Sequence, residues 1–213
     1  MSKIKFSNLI LLNHPLVKKD VTVLRDVNTS SESFRSAVRR ISSLLAVEIS
    51  KNLKVTRLKV RTPLEVTIGY ELAQQVVLVP VLRAGLGMVG GFLDVIPDAK
   101  VGHIGLQRDE ETLKPKQYYY KTPRNLKSSK VILLDPMLAT GGSSSQAITN
   151  LKKRGSRECM FACIVASPEG LHRMKKDHPD VKIFCAALDR ELNERGYILP
   201  GLGDAGDRTF GTL

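Results

Sequence analysis

Residues Val131–Ile148 read VILLDPMLATGGSSSQAI. Four apolar side chains, Val131 to Leu134, end on Asp135; a loop, Thr140-Gly141-Gly142-Ser143, follows, and a helical pattern opens behind it. This order predicts a buried strand, an acid at its carboxyl end, and a turn whose backbone N–H groups converge on an anion. Glycine lets the backbone close on a ligand with no Cβ in the way. The first turn of the next helix adds unpaired donors and the positive end of its dipole. A carboxylate able to hold ribose hydroxyls beside such a cradle points to a phosphorylated sugar. A plain strand-to-helix turn would explain the glycines alone, but not an acid placed directly at the strand end. The loop is not a nucleoside-triphosphate P-loop, because no lysine follows Gly142.

The same alternation extends outward. Apolar strand-like runs stand at Val76–Leu82, Val101–Leu106, Val131–Leu134, Met160–Ala166 and Val181–Leu188. Between them lie helical or loop segments at Leu86–Asp94, Ser144–Arg154 and Pro168–Lys176, the last capped by Ser167. Near-continuous apolar strands alternating with helices predict an α/β fold: a central, mostly parallel sheet of five strands covered on both faces. Ligands of such sheets bind at the carboxyl ends of the strands. Those ends carry Arg83-Ala84-Gly85, Gln107-Arg108-Asp109, Asp135 with its loop, Ser167-Pro168-Glu169 and Asp189-Arg190. Upstream, Thr29-x-x-Glu32 reads as a capping box for a helix through Phe34, Val38, Ile41, Leu45 and Ile49. Thr56, Leu58 and Val60 alternate with Arg57, Lys59 and Arg61 as a strand with one wet face, and Leu64–Tyr70 reads as its returning partner.

The length of 213 residues favours one domain. No apolar run approaches the ~20 residues of a membrane span, and the N-terminus lacks a signal-peptide pattern. Cys159, Cys163 and Cys185 have no CxxC spacing and lie in or beside apolar runs, which predicts buried, reduced thiols and a cytoplasmic location. The net charge of +12 is spread over short groups such as Arg39-Arg40, Lys152-Lys153-Arg154 and Lys175-Lys176, with little aromatic interleaving. That pattern favours a solvated surface, or attraction for a small anionic substrate, over nucleic acid. The four histidines have no paired-ligand spacing, so a metal site built from them is not expected, and His103 reads as a core residue.

Two glycine patterns compete. Gly85-x-Gly87-x-x-Gly90 matches the dinucleotide fingerprint, follows a strand, opens a helix and has Asp109 about 20 residues on. Against it, Arg83 stands in the turn and the second anion loop would go unexplained. A second literal match, Gly201-x-Gly203-x-x-Gly206, has no helix pattern behind it and shows how readily glycine-rich loops produce the motif. The C-terminal stretch is better read as an ordered wrap than as a frayed tail, since Tyr197, Ile198 and Leu199 are apolar and Pro200 stiffens them. Its glycine-rich backbone suits a flat ligand with alternating donors and acceptors, such as a pyrimidine.

DPMLATGGS at Asp135–Ser143, LRAGLGM at Leu82–Met88, RDEET at Arg108–Thr112 and YILPGLGDAGDRTFGT at Tyr197–Thr212 resemble the uracil phosphoribosyltransferases, from about Val76 to the C-terminus. The resemblance implies the type I phosphoribosyltransferase fold, with a hood that includes the C-terminal segment and a β-arm. It implies a single domain with N-terminal helix and hairpin elements (1–75), a core sheet (76–188) and a base-binding hood segment (189–213). The implied reaction joins uracil to 5-phospho-α-D-ribose 1-diphosphate (PRPP), giving UMP and diphosphate in pyrimidine salvage. By position, Arg83 and Arg108 would contact the donor's diphosphate and Asp135 its ribose. Pro136, Met137 and Leu138 belong to the donor-binding stretch, and Ala139, Thr140, Gly141, Gly142 and Ser143 would cradle the 5-phosphate. Ile198, Gly203, Asp204 and Ala205 would read uracil, with Asp204 also near the donor; Asp204, Arg83 and Arg108 form the implied catalytic set.

Mg²⁺ would ride on the diphosphate, with few protein ligands, because Pro136 follows Asp135 where many phosphoribosyltransferases carry a second acid. A homodimer or homotetramer and, as in some relatives, activation by GTP are further implications. Arg190-Glu191 departs from the small or neutral residues usual before Leu192-Asn193. The polar stretch Arg108–Thr122 reads as a mobile arm over the site or as a bridge between subunits. Two alternatives stay open: an enzyme of this fold using another base, and an RNA-binding regulator built on the same scaffold.

Overall fold

The computed structural model describes residues 6–108 and 115–212. Strand β1 (Leu9–Leu11) leads into helices α1 (Pro15–Arg25) and α2 (Ser31–Ser50), then the hairpin β2 (Val55–Arg61) and β3 (Val66–Leu72). The alternating core follows: β4 (Val76–Leu82), α3 (Leu86–Val95), β5 (Lys100–Val101), β6 (His103–Arg108), β7 (Pro115–Lys121), β8 (Lys130–Leu134), β9 (Met137–Leu138), α4 (Gly142–Lys153), β10 (Glu158–Ala166), α5 (Pro168–Asp177) and β11 (Lys182–Leu188). A short hairpin of β12 (Glu191–Leu192) and β13 (Ile198–Leu199) precedes the final helix α6 (Ala205–Phe210).

The main sheet runs β1-β11-β10-β8-β4-β6-β7, parallel throughout except for the β6–β7 pair. The five expected strands form its centre, and two edges were not foreseen. β1 adds a parallel edge beside β11, and β7 adds an antiparallel one, so the described part of the expected arm continues the sheet. The rest of that stretch, 109–114, lies outside the described residues.

Continuous apolar strands are explained by two cores. Val76, Leu78, Ile132 and Leu134 face a core shared with α1, α2 and α3, while Val77, Val79, Val131 and Leu133 face one shared with α4 and α5. Successive side chains point to opposite faces of a strand, so a strand buried on both sides must be apolar at every position. Cys159, Cys163 and Cys185 are buried free thiols, and burial pushes the Cys159 thiol up to about 12. No helix among the described residues is long and apolar enough to cross a membrane.

Several expectations are corrected. Helix α1 was not anticipated, although His14 caps it, Pro15 opens it, and Val17, Val21 and Leu24 bury one stripe. The cap of α2 is Ser30, which accepts from the Ser33 amide, while Thr29 turns back to donate to Val23 O at 2.6 Å. The β2–β3 hairpin forms, but both its faces are exposed apart from the half-buried Leu58 and Gly69. Among the described residues it pairs only with itself, so alternation there produced no buried side. His103 is half-buried at the β6–β7 edge rather than in the core, opposite Lys121.

Candidate active site

The carboxyl ends of β4 and β8 open on a cleft of about 280 Å³. It is lined by Asp135, Met137, Ala139, Thr140, Ser143 and Ser144 on one side and by Gly196–Ile198 and Gly203–Gly206 on the other, with Ala84 between. The two sides come from opposite faces of the sheet. Helix α4, which begins at the loop, packs into one core, and Ile198, Leu202 and Ala205 pack into the other.

The loop side is built locally. After Asp135 the chain bulges so that Pro136 O receives both the Ile164 and Val165 amides, and β9 then pairs with β10. Pro136 and Leu138 are buried scaffold and do not line the cleft. Gly141 has φ +73, and a Cβ there would stand 3.0 Å from Gly170 O and 3.1 Å from Arg173 Cβ; no other residue fits without strain. It caps α4, so the unpaired amides of that helix's first turn start at the cleft. A network beneath holds this turn. Ser145 Oγ donates to Asp177 Oδ2 at 2.7 Å, Arg173 pairs with the same carboxylate, and buried His178 Nε2 lies 2.9 Å from Ser145 O. Those contacts keep the Asp177 carboxyl below its ordinary range, the Ser145 hydroxyl first and Arg173 second.

Asp135 sits at the mouth of β8, half-buried, accepting from the Met137 amide at 3.1 Å. Burial raises its carboxyl to about 7 against the opposing pull of that amide. A carboxylate poorly solvated and without a cation beside it among the described residues is ready for hydroxyl donors.

The hood side is built from afar. Asp204 caps α6 by accepting from the Asp207 amide at 2.9 Å. Gly201 has φ +65, and a Cβ would lie 2.1 Å from Ile198 O, so the turn after Pro200 requires glycine. Arg25 of α1 donates to both oxygens of buried Asp189, one at 3.0 Å, and to Gly201 O at 2.8 Å, while Asp189 accepts the Gly201 amide. Arg208 reaches back to the carbonyls of Leu24, Asp26 and Leu202, and Arg35 to Thr209 O. The C-terminal segment is therefore pinned to α1 and α2, and the ordered wrap is real.

Of the residues singled out in the sequence, Asp135, Met137, Ala139, Thr140, Ser143, Ile198, Gly203, Asp204 and Ala205 line one cleft. Gly141 and Gly142 shape the loop behind it. Arg83, in the turn after β4, is exposed at the rim and pairs with Asp207 at 2.9 Å. Arg108 ends β6; its side chain, and Asp109 to Lys114 with it, lie outside the described residues. Sequence reasoning missed Ala84, Ser144, Gly196, Tyr197 and Gly206, each within two residues of a chosen one. Arg190 and Glu191 pair with each other on the outer strand of the hood hairpin and do not line the cleft.

The dinucleotide reading is corrected. A Cβ at Gly85 would meet Leu134 O at 2.4 Å and Val81 N at 2.7 Å, so this glycine serves strand packing. Gly87 lies against Thr209 of α6, which covers the place a pyrophosphate would need.

A strand-end carboxylate, an amide-lined helix start and a C-terminal hood over a mostly parallel sheet define a type I phosphoribosyltransferase. A family model described as uracil phosphoribosyltransferase matches residues 11–212. A uracil phosphoribosyltransferase of Acholeplasma laidlawii is 53% identical over 204 residues, 96% of this chain and 98% of the relative. One from Clostridium perfringens is 51% identical over 97% and 99%. The solved structure of an Aquifex aeolicus protein superposes with a TM-score of 0.90 at 39% identity, covering 95% of this chain and 97% of that one. The chain belongs to the uracil phosphoribosyltransferase family.

Proposed function

We propose that this protein transfers the 5-phosphoribosyl group of PRPP to uracil, releasing UMP and diphosphate. The carrying observation is that donor-type and base-type elements meet across a single cleft. In this reading the amides of Ala139–Ser143 bind the 5-phosphate and Asp135 binds the ribose hydroxyls. The backbone of Ile198 and Gly203–Ala205 reads the base, which forms hydrogen bonds to fixed main-chain groups at little entropic cost. Departure of diphosphate leaves an oxocarbenium-like sugar, so the site must stabilise a leaving anion and position a weak nucleophile. Arg83 and Arg108 supply the first need, and Asp204, at the start of α6, stands at the junction of base and sugar. No covalent nucleophile is required; alignment and preorganised charge provide the acceleration.

Members of this enzyme class generally depend on Mg²⁺. Among the described residues, Asp135 and Asp204 are the carboxylates lining the cleft, and no cluster of three or more metal-ligating side chains occurs. A Mg²⁺ ion would therefore take most of its oxygens from the diphosphate and offset its charge as it leaves. The unpaired β2–β3 hairpin, with Val66, Ile68 and Tyr70 exposed, supports self-association into a homodimer or homotetramer. GTP activation and a cytoplasmic setting complete the proposal by family likeness.

The test is purified protein with labelled uracil, PRPP and Mg²⁺, scored for UMP. Cytosine, hypoxanthine and orotate should give no nucleotide. Turnover with one of these and none with uracil would move the protein to another base. Salt-sensitive RNA affinity without any turnover would favour the regulator.

A further inference from the structure

Asp207 belongs neither to the phosphate cradle nor to the base-reading backbone, yet it is bonded both to Arg83 and to Asp204. Its Oδ1 accepts from Arg83 Nη2 at 2.9 Å and from Thr212 Oγ1 at 2.6 Å. Its backbone N–H donates to Asp204 Oδ1 at 2.9 Å. The turn that carries Arg83 lies directly on the same helix. A Cβ on Gly206 would meet Ala84 Cβ at 3.8 Å, and one on Gly87 would meet Thr209 Cγ2 at 3.3 Å. Arg83 and Asp207 are 124 residues apart, so tertiary packing alone sets their geometry.

The pair is too exposed for its attraction to stabilise the fold much, with side chains 57% and 32% accessible. Its value lies in orientation. A guanidinium offers five N–H donors in a rigid fork. Among the described residues Asp207 engages one of them, which removes rotamer freedom that donor binding would otherwise have to quench. Thr212 shares the accepting oxygen and fixes the carboxylate in turn.

We propose that Asp207 is a positioning residue. It holds Arg83 on the hood side of the cleft, ready for the donor's diphosphate, and through Asp204 it sets the distance between leaving-group end and base end. The inference deepens the transferase reading and rests on it.

Calorimetric titration with PRPP and Mg²⁺, compared with steady-state KM for uracil, provides the test in the wild type, Asp207→Asn, Arg83→Gln and the double variant. Asp207→Asn should weaken PRPP binding about 10- to 30-fold, as expected for a misplaced charged clamp, with KM for uracil within about twofold. Because Asp207 acts through Arg83, the double variant should bind PRPP no more weakly than Arg83→Gln alone. Asp207→Glu should recover part of the loss. Additive losses in the double variant, or a change confined to uracil KM, would overturn the proposal and leave Asp207 as an ordinary first-turn residue of α6. If thermal unfolding shows that Asp207→Asn does not fold, Thr212→Val replaces it: a roughly two- to threefold weaker PRPP affinity is expected for loss of one exposed hydroxyl–carboxylate hydrogen bond, and an unchanged affinity contradicts the idea. Wild-type protein that binds PRPP but makes no UMP would refute the transferase reading while the binding cycle still judges Asp207. Wild-type protein that fails to bind PRPP would refute both.

Discussion

The two ends of the cleft do similar work and are held in opposite ways. The proposed phosphoribosyl end lies within one stretch, Asp135 to Ser145, braced from below by Arg173 and Asp177 of the neighbouring α5 and by His178 just after it. The proposed base end has little regular structure of its own and takes its shape from arginines. Arg25 reaches Asp189 and Gly201 across 164 and 176 residues, and Arg208 reaches Leu24 across 184. A site can therefore be specified by local backbone chemistry or by distant side chains that satisfy loop carbonyls. The first tolerates changes elsewhere in the fold; the second, under the proposed function, makes the N-terminal helices supports of base recognition although they do not line the cleft.

Changes at each end should separate in kinetics. Asp204→Ala should have the largest effect, cutting kcat about 10²–10³-fold, the range for losing one preorganised polar group. Asp204→Asn should lose comparable turnover yet keep the α6 cap, since asparagine caps as well as aspartate, so the pair separates chemistry from folding. Next, Arg25→Ala should destabilise by about 3 kcal/mol, because it leaves Asp189 buried without its cation. Chemical denaturation would show this, and KM for uracil should rise while KM for PRPP stays put. If both KM values rise equally, the hood is not separately held. Gly141→Ala should act at the other end only, costing about 1–2 kcal/mol for a non-glycine residue at positive φ in a crowded turn and weakening PRPP alone.

The smallest effect concerns pH. The Asp135 carboxyl is raised in the folded protein to about 7, so folding favours its protonated form. Its penalty is absent below the ordinary carboxyl range, grows as pH rises from about 4 to about 7, and is constant above that. Asp135→Asn should therefore stabilise the ligand-free protein at pH 8 by about 1–2 kcal/mol, less than the full shift because the side chain keeps some solvent. At pH 4 the gain should vanish. A constant difference in melting temperature across that range would show that Asp135 is solvated as an ordinary acid.

Legibility in the sequence follows the same division. The strand-acid-loop-helix unit was readable because its determinants are contiguous: four apolar residues, one acid, and a glycine whose positive φ the turn demands. The mostly parallel sheet and its two covered faces followed from uninterrupted apolar strands, whereas the order of those strands did not. The N-terminal half was less transparent. Helix α1 buries only a narrow stripe, and the one-residue error in the cap of α2 arose because Thr29 and Ser30 are chemically interchangeable there. The β2–β3 alternation was real, but alternation cannot reveal whether anything covers a face. Least readable was the hood. Tyr197 to Pro200 announced order, yet nothing near Gly201 or Leu202 in sequence names Arg25 or Arg208 as anchors. Arg83 was placed at the rim correctly, while its partner Asp207 passed unnoticed within a motif read for its neighbours.

A crystal structure with bound UMP would test the two-ended cleft most directly. The account predicts phosphate oxygens within hydrogen-bond distance of the amides from Thr140 to Ser143, ribose hydroxyls on Asp135, and the uracil edge against the main chain of Ile198 and Gly203–Ala205. A nucleotide with its phosphate at the start of α3, or with its base away from the C-terminal segment, would contradict it.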